Sequence, residues 1–463
     1  MNLTFVWEVI LKSCDFVYIC MKRNSFLFLL FNLFFVLDCF SNEKTIYDSP
    51  HTKINNQLKF EQCKYFISFS HIFSDTLFMP KNCELVFNGG SLSGPIVLNN
   101  TLLSGSVDLK GSSIRGSVRN ELFDASWICN MDGKTDDARH INEIIEVCGK
   151  VLFPKGCYRL ISSYTVPDKI DKKLHRSIQS HIGVSRSDVS LIGEEGTEFL
   201  TEEPIGTICF FSRPKMIEHS IRNILIEGIT FTVKNDGVAF HEFMHTIKLI
   251  GVNNFTVTNC TFNDFWGDAI CLSHYGDDKS TGERTRNQNV KITNNSIRGG
   301  DSHNNRNGIS VISGKNVLIK DNIIRNTTRK DMPGGIDIEP NNSAYTIENI
   351  RIENNTFANI EGTVGAIGLV LLKDNAPAKK IVINNNVINH CSCGITIVIR
   401  TNDTSKGLEI TNNVVDIHTR PYKFVGSGSS RDWIIKNNSF KRMKIQKIPG
   451  NIKVSGMAVK GNK

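Results

Sequence analysis

The segment NVKITNNSI (Asn289–Ile297) is an apolar β-run that ends in two asparagines and one further apolar residue. The pattern returns five times: NVLIKDNII (Asn316–Ile324), NIRIENNTF (Asn349–Phe357), KIVINNNVI (Lys380–Ile388), GLEITNNVV (Gly407–Val415) and DWIIKNNSF (Asp432–Phe440). The second amide of each pair follows the previous one after 25 to 33 residues. A period of this length predicts stacked repeats, each burying its apolar face against its neighbours.

The paired amides have two interpretations. Three of them match the glycosylation signal Asn-x-Ser/Thr. Asparagine also tolerates the left-handed turn conformation, and its amide can bond to the repeats above and below it. We therefore expect an asparagine ladder at the turns, formed by Asn295, Asn322, Asn355, Asn386, Asn413 and Asn438.

A second family of β-runs alternates with the first. Its members are Asp268–Ser273, Asn307–Ser313, Gly335–Glu339, Ala366–Leu371 and Gly394–Ile399. Two or three strands per coil, each parallel to its counterpart in the next coil, predict an all-β right-handed parallel β-helix. Alternate residues should face its interior, namely Ile270, Leu272, Ile309, Val311, Ile336, Ile338, Ile367, Leu369, Ile395 and Ile397.

The stretch DGKTDDARHINEIIEVCGKVLFPKGCYRL (Asp132–Leu160) predicts a helix followed by a strand. Thr135 and Asp136 suit a helix N-terminus, and Gly149 suits its end. Between them, apolar residues recur at helical spacing. Such a helix would plug the open end of a solenoid core, which must be capped to stay soluble.

This stretch resembles the N-terminal motif of the pectate lyase-like superfamily, which has Gly-Asp-Gly-x-Thr-Asp-Asp, a helix and Phe-Pro-x-Gly-x-Tyr. The matching residues are Asp132, Gly133, Thr135, Asp136, Asp137, Phe153, Pro154, Gly156 and Tyr158. Upstream, Trp127-Ile128-Cys129-Asn130 departs from the usual Phe-Gly-Ala-x-Gly. The resemblance extends from Trp127 to the C-terminus and implies the fold. It implies no single reaction, because lyases, hydrolases and viral tailspikes share the motif.

The chain divides into three parts. Residues 1–41 read as a mis-assigned start followed by a signal peptide, since Met21-Lys22-Arg23 precedes the apolar run Phe26–Leu37. Cys39 is a candidate lipoprotein cysteine, although Asp38 suits that motif poorly. Residues 42–126 form a β-rich module, and residues 127–463 form the β-helix. We expect a secreted protein, in the periplasm or at the cell surface of a bacterium.

Bulk composition narrows the choice of partners. The formal net charge of +8 leans weakly toward an anionic glycan. Basic residues are scattered and are not interleaved with aromatic residues, which argues against nucleic-acid binding. The 13 cysteines lack zinc-type pairs and read as small buried apolar residues.

The clearest candidate site lies on the second strand family. If Ile336 and Ile338 point inward, Asp337 and Glu339 share the outer face about 6.5–7 Å apart, a spacing that suits inverting glycoside hydrolysis. Asp268 and Arg306 align with this pair from the two preceding coils. An arginine there lowers carboxylate pKa values or binds a uronate. A solvated acid pair and a structural salt bridge are the alternatives.

Loops beside these strands supply further candidates. They are His303 as a general acid or base, and Trp266, His274, Tyr275, Arg329 and Lys330 as substrate-binding residues. We expect no cofactor and no metal. Asp277-Asp278 gives only feeble support for Ca²⁺.

The resulting expectation is an enzyme that cleaves a polysaccharide. Hydrolysis by Asp337, Glu339 and Asp268 is favoured over a lyase reaction in which Arg306 neutralises a uronate and His303 or Lys330 takes the proton. The Asp trio of polygalacturonase-type hydrolases is not matched, nor is the Ca²⁺ and Arg arrangement of classical pectate lyases. A non-catalytic glycan-binding or surface protein is the alternative of a different class.

Overall fold

Parallel strands stack coil upon coil along most of the chain. The computed structural model describes residues 43–46, 53–165, 179–212, 221–234, 241–274, 286–300, 305–340, 345–371, 378–399, 405–417, 420–427, 429–440, 453–455 and 458–461. Three long sheets run side by side, because each coil contributes one strand to each sheet. This arrangement confirms the predicted parallel β-helix, with three strands in a typical coil.

The strands of each sheet follow one another in register. The first sheet contains Phe123–Asp124, Lys150–Phe153, Val189–Gly193, Ile221–Glu227, Val252–Thr258, Asn287–Thr293, Gly314–Lys320, Ile347–Glu353, Ala378–Asn384, Lys406–Thr411, Ser429–Arg431, Ile434–Lys436, Lys453–Ser455 and Ala458–Lys460. The second contains Asp132–Asp136, Gly156–Leu160, Thr197–Thr201, Thr230–Val233, Thr261–Asn263, Ser296–Arg298, Ile323–Arg325, Thr356–Ala358, Val387–Asn389, Val414–Asp416 and Ser439–Phe440. The third contains Tyr164–Thr165, Gln179–Val184, Gly206–Phe211, Ile247–Ile250, Ile270–Leu272, Ile309–Val311, Gly334–Ile338, Gly365–Leu371, Ile395–Ile399 and Tyr422–Gly426.

The N-terminal module is also built from parallel strands. They are Glu43–Ile46, Lys64–Ile67, Ser70–Ile72, Leu77–Phe78, Glu84–Phe87, Ser91–Ser93, Pro95–Gly105 and Ser113–Val118. Short 3₁₀ turns occur at Ile54–Asn56 and Ala125–Trp127. One apolar core runs from this module through the three long sheets.

The helix Ala138–Val147 lies between the module and the first coils. The Glu143 carboxylate accepts the Ile114 backbone N–H at 3.2 Å on one side, and Asn142 Oδ1 accepts the Gly183 N–H at 3.0 Å on the other. The predicted helix is therefore present, but the module covers its far side. Among the described residues, no helix is long and apolar enough to cross a bilayer.

The asparagine ladder is confirmed at the turn between the first and second sheets. In each step the side-chain Oδ1 of one asparagine accepts the backbone N–H and the Nδ2–H of its counterpart in the preceding coil, at 2.9–3.0 Å. The residue before each ladder asparagine has a φ of 55° to 57°, which asparagine and aspartate tolerate. All six ladder residues are buried. Each buried amide thus satisfies backbone groups that the turn leaves unpaired.

The predicted inward residues of the second strand family are all buried. Every cysteine in the described part of the chain is a free thiol, and most are buried, as the composition suggested. The apolar interior therefore fixes which side of each third-sheet strand faces outward.

Candidate functional site

The third sheet brings residues from four successive coils together on its outer side. Its register pairs Lys248 with Cys271, Cys271 with Ser310, and Ser310 with Asp337. These four residues form one outward row, because their strand neighbours on both sides face the apolar core. The predicted alignment of Asp268, Arg306 and Asp337 in successive coils agrees with this register.

Asp268 and Arg306 form a buried ion pair beside this row. Arg306 Nη1 donates to both carboxylate oxygens of Asp268, at 2.9 and 3.1 Å. Burial alone would raise the pKa of Asp268, but the Arg306 guanidinium and His245 hold it well below its usual range. Asp268 is thus a carboxylate at neutral pH and fixes one edge of the guanidinium.

His245 approaches the same carboxylate from the preceding coil. Its Nδ1 atom lies 3.2 Å from Asp268 Oδ2 and accepts the Asp268 backbone N–H at 3.1 Å. Burial lowers the pKa of His245, although Asp268 opposes this effect. The imidazole is therefore neutral at pH 7.

Asp337 and Glu339 differ from Asp268 in their protonation. Asp337 is fully buried, and neither of its oxygens accepts a hydrogen bond from an N–H or hydroxyl of the described residues. Burial, followed by repulsion from Glu339, raises its pKa well above the usual range. Burial also raises the pKa of the half-buried Glu339, although Arg306 acts against this. Each of the two acids raises or lowers the pKa of the other, so their titrations are linked.

The burial of Asp337 corrects the exposure expected from the sequence. Both acids do leave the inner face of the strand, but Asp337 is covered rather than solvated. The raised pKa values of both acids favour their protonated forms, so a reaction that needs an ionised base must find it elsewhere.

Glu242 is the carboxylate on the other side of the guanidinium. Its Oε1 lies 3.6 Å from Arg306 Nε, and its side chain is 44% exposed. Arg306 Nη2 lies 4.0 Å from Asp337 Oδ2. The Arg306 guanidinium thus lies between an acid that solvent reaches, Glu242, and two buried or half-buried acids with raised pKa values, Asp337 and Glu339.

A hydrogen-bond chain fixes the strand that carries the pair. Ser310 Oγ accepts from Arg306 Nη1 at 3.1 Å and from Asn307 Nδ2 at 2.8 Å. Asn307 Oδ1 accepts the backbone N–H of Gly334, the first residue of the Asp337 strand, at 2.8 Å. These buried hydrogen bonds tie the Asp337 strand to the preceding coil.

The predicted substrate-binding residues in the described parts of the loops do not join the acid cluster around Arg306. Trp266 is 1% exposed, so its ring is part of the core and the expected stacking on a sugar does not fit this burial. Arg329 pairs with Asp331 at 2.9 Å, and Lys330 lies 3.7 Å from Glu361.

His274 packs against Tyr345, with ring centroids 4.0 Å apart. Other predicted residues lie outside the described residues, namely Cys39, Tyr275, Asp277, Asp278 and His303.

Sequence reasoning missed His245 and Glu242. Aligning the runs HTIKLI and DAICLS places His245 opposite Asp268, because Ile247 and Ile270 are register partners. This alignment could be made from the sequence, but it indicates a site only weakly unless the boundaries of the two coils are known. Glu242 lies outside any strand, so no periodicity marks it.

Residues 245–440 match a family model described as "Right handed beta helix region". A search of curated protein sequences found no match. Among solved structures, an exopolygalacturonase from Thermotoga maritima is 14% identical, with a TM-score of 0.47 over 75% of this chain and 88% of that one. The surface adhesin PfbA of Streptococcus pneumoniae is 14% identical, with a TM-score of 0.38 over 74% and 91% of the two chains.

A mannuronan C-5 epimerase module from Azotobacter vinelandii is 13% identical, with a TM-score of 0.33 over 73% and 99%. These similarities are too distant to transfer an activity. Residues 245–440 thus match the right-handed β-helix family model, and the chain has the right-handed parallel β-helix fold.

Proposed function

We propose that the protein is a secreted carbohydrate-active enzyme that hydrolyses glycosidic bonds of a polysaccharide. The observation that carries this proposal is the separation of acid and base around Arg306. The pKa values of Asp337 and Glu339 are raised, whereas Glu242 lies across the guanidinium and is open to solvent. A carboxyl with a raised pKa suits the acid role, and an acid that solvent reaches can activate a water.

Glu339 is the member of the pair that can touch substrate, because Asp337 is fully covered. In the proposed reaction Glu339 donates its proton to the glycosidic oxygen as the bond to the anomeric carbon breaks. Glu242 takes a proton from the attacking water, whose oxygen bonds to that carbon. Asp268 positions Arg306.

Hydrolysis accounts for the site better than elimination does. A lyase needs a cation that is free to neutralise the uronate, but Arg306 already binds Asp268 through both carboxylate oxygens. Of the two bases expected for that reaction, His303 lies outside the described residues, and Lys330 forms an exposed ion pair with Glu361 at 3.7 Å. The proposal therefore uses Arg306 to orient acids and not to bind a uronate.

A panel of acidic and neutral polysaccharides tests the function. New reducing ends without absorbance from unsaturated uronates support hydrolysis, whereas unsaturated products indicate a lyase. If the folded protein binds a member of the panel and cleaves none, the chain is a glycan-binding module. Export to the cell surface is checked separately by fractionating cells that express the full chain and its Cys39→Ala variant.

A further inference from the structure

A second set of side chains lies beneath the acid cluster. His245, Asp268 and Cys271 each present one ligand atom, and these three atoms lie within 4.8 Å of one another. All three side chains are buried. His245 comes from the coil of Ile247–Ile250, and the other two come from the next coil. The proposed hydrolysis uses only Asp268, and only through its contact with Arg306.

We propose that His245, Asp268 and Cys271 form a binding site for a zinc-type divalent ion that links these two coils. An imidazole nitrogen, a carboxylate oxygen and a thiolate are the donors that Zn²⁺ accepts in proteins. Ca²⁺ and Mg²⁺ require oxygen ligands, so this donor set disfavours both.

The spacing of the donors fits this ion. His245 Nδ1 and Asp268 Oδ2 are 3.2 Å apart. Two ligands that each bind at about 2.0–2.2 Å in a tetrahedral site lie roughly 3.3–3.5 Å from each other. The Cys271 sulfur, within 4.8 Å of both, needs only a small approach to complete three positions.

Arg306 does not exclude the ion. Each carboxylate oxygen has two lone pairs, and Arg306 Nη1 uses one on each oxygen of Asp268. Oδ2 therefore keeps one lone pair, and His245 Nδ1 lies 3.2 Å from this oxygen. A thiolate and a carboxylate together balance the charge of a dication, while Arg306 keeps Glu242 and Asp337 as its other neighbours.

One hydrogen bond competes with the ion. The Nδ1 lone pair of His245 accepts the Asp268 backbone N–H, so coordination through Nδ1 must displace that bond. Because the three side chains are buried, the ion enters most readily while the chain folds. The test should therefore load metal during refolding as well as analyse the protein as purified.

The experiment uses the full chain and cobalt as a spectroscopic substitute for zinc. Elemental analysis should find one zinc per chain, and refolding with Co²⁺ should give near-ultraviolet absorption from a thiolate–cobalt bond. Cys271→Ser should abolish both signals, and His245→Gln should lower metal occupancy at least tenfold. Cys209→Ser is the matched control, because Cys209 is a buried neighbour of Lys248 on the same outward row.

The proposal would be overturned if the wild-type protein contained no zinc after refolding with Zn²⁺. It would also be overturned if folded Cys271→Ser bound as much zinc as the wild type. If Cys271→Ser does not fold, His245→Gln decides, since that variant keeps the thiol. Loss of metal from the Cys209→Ser control would show that the signal does not belong to this cluster. None of these measurements needs a substrate, so the result is independent of the proposed hydrolysis.

Discussion

Arg306 Nη2 lies 4.0 Å from Asp337 Oδ2, and among the described residues Arg306 is the only cation that forms an ion pair with this acid. The same guanidinium is already bound to Asp268. Burial of Asp337 and its repulsion by Glu339 outweigh the attraction of Arg306, so the pKa of Asp337 is raised well above its usual range. Asp268 has the opposite outcome, because Arg306 and His245 outweigh its burial and hold its pKa well below the usual range.

The raised pKa values predict how stability changes with pH. A carboxyl whose pKa is higher in the folded state binds more protons there than in the unfolded chain. The free energy of unfolding should therefore fall as pH rises above the ordinary values of 3.8 for Asp337 and 4.5 for Glu339. The slope approaches about 1.4 kcal/mol per pH unit for one extra bound proton.

Denaturant unfolding from pH 4 upward measures this slope. Asp337→Asn and Glu339→Gln should each reduce it, because neither amide titrates. Glu348→Gln, at an ion pair with Lys315 in the first sheet, is the control and should leave the slope as in the wild type. An unchanged slope in both site variants would mean that the folded state binds no extra proton at Asp337 or Glu339.

Removing Arg306 should be strongly destabilising. Arg306→Met leaves Asp268 buried as an unpaired charge, which costs about 3–5 kcal/mol of unfolding free energy. Arg351→Met is the control, because Arg351 is half-exposed in its ion pair with Glu353 and should contribute less than about 1 kcal/mol. Equal unfolding midpoints for the two variants would show that the Arg306 pair does not support the fold.

The ladder should matter more than the exposed asparagines beside it. Asn355→Ala removes the acceptor for the N–H and the Nδ2–H of Asn322 and the donor to the Ile319 carbonyl. Leaving these buried groups unpaired should cost about 2–4 kcal/mol. Asn349→Gly, in the same coil, removes an exposed bond to Asn316 at a φ of 54° that glycine adopts without strain, and should cost less than about 1 kcal/mol. Similar thermal midpoints for both variants would contradict the ladder's role.

The sequence predicts the architecture well because each coil repeats the same turn asparagine and the same alternation of apolar residues. Asn295 and its five counterparts mark the turn, and the alternation around Ile336 and Ile338 marks the interior. Once those positions are aligned, the register that brings Asp268, Arg306 and Asp337 into successive coils follows. Each of these inferences depends on local pattern and on stacking at fixed spacing.

Burial at the site could not be predicted in the same way. The sequence shows that Asp337 leaves the inner face, but not that other parts of the chain cover it. Trp266 and Glu242 precede or follow strands, where no period applies, and their exposure is set by contacts distant in sequence. Protonation depends on that burial, so the raised pKa values of Asp337 and Glu339 emerge only from the three-dimensional arrangement.

Turnover by Glu339→Gln tests the central proposal most directly. On a polysaccharide that the wild type cleaves, this variant should release reducing ends at least 100-fold more slowly, in keeping with the loss of a general acid. Its affinity for the same polysaccharide should stay within a few-fold of the wild type, as measured by calorimetry. A folded Glu339→Gln variant that cleaves at the wild-type rate would contradict the assignment of this site as the catalytic centre.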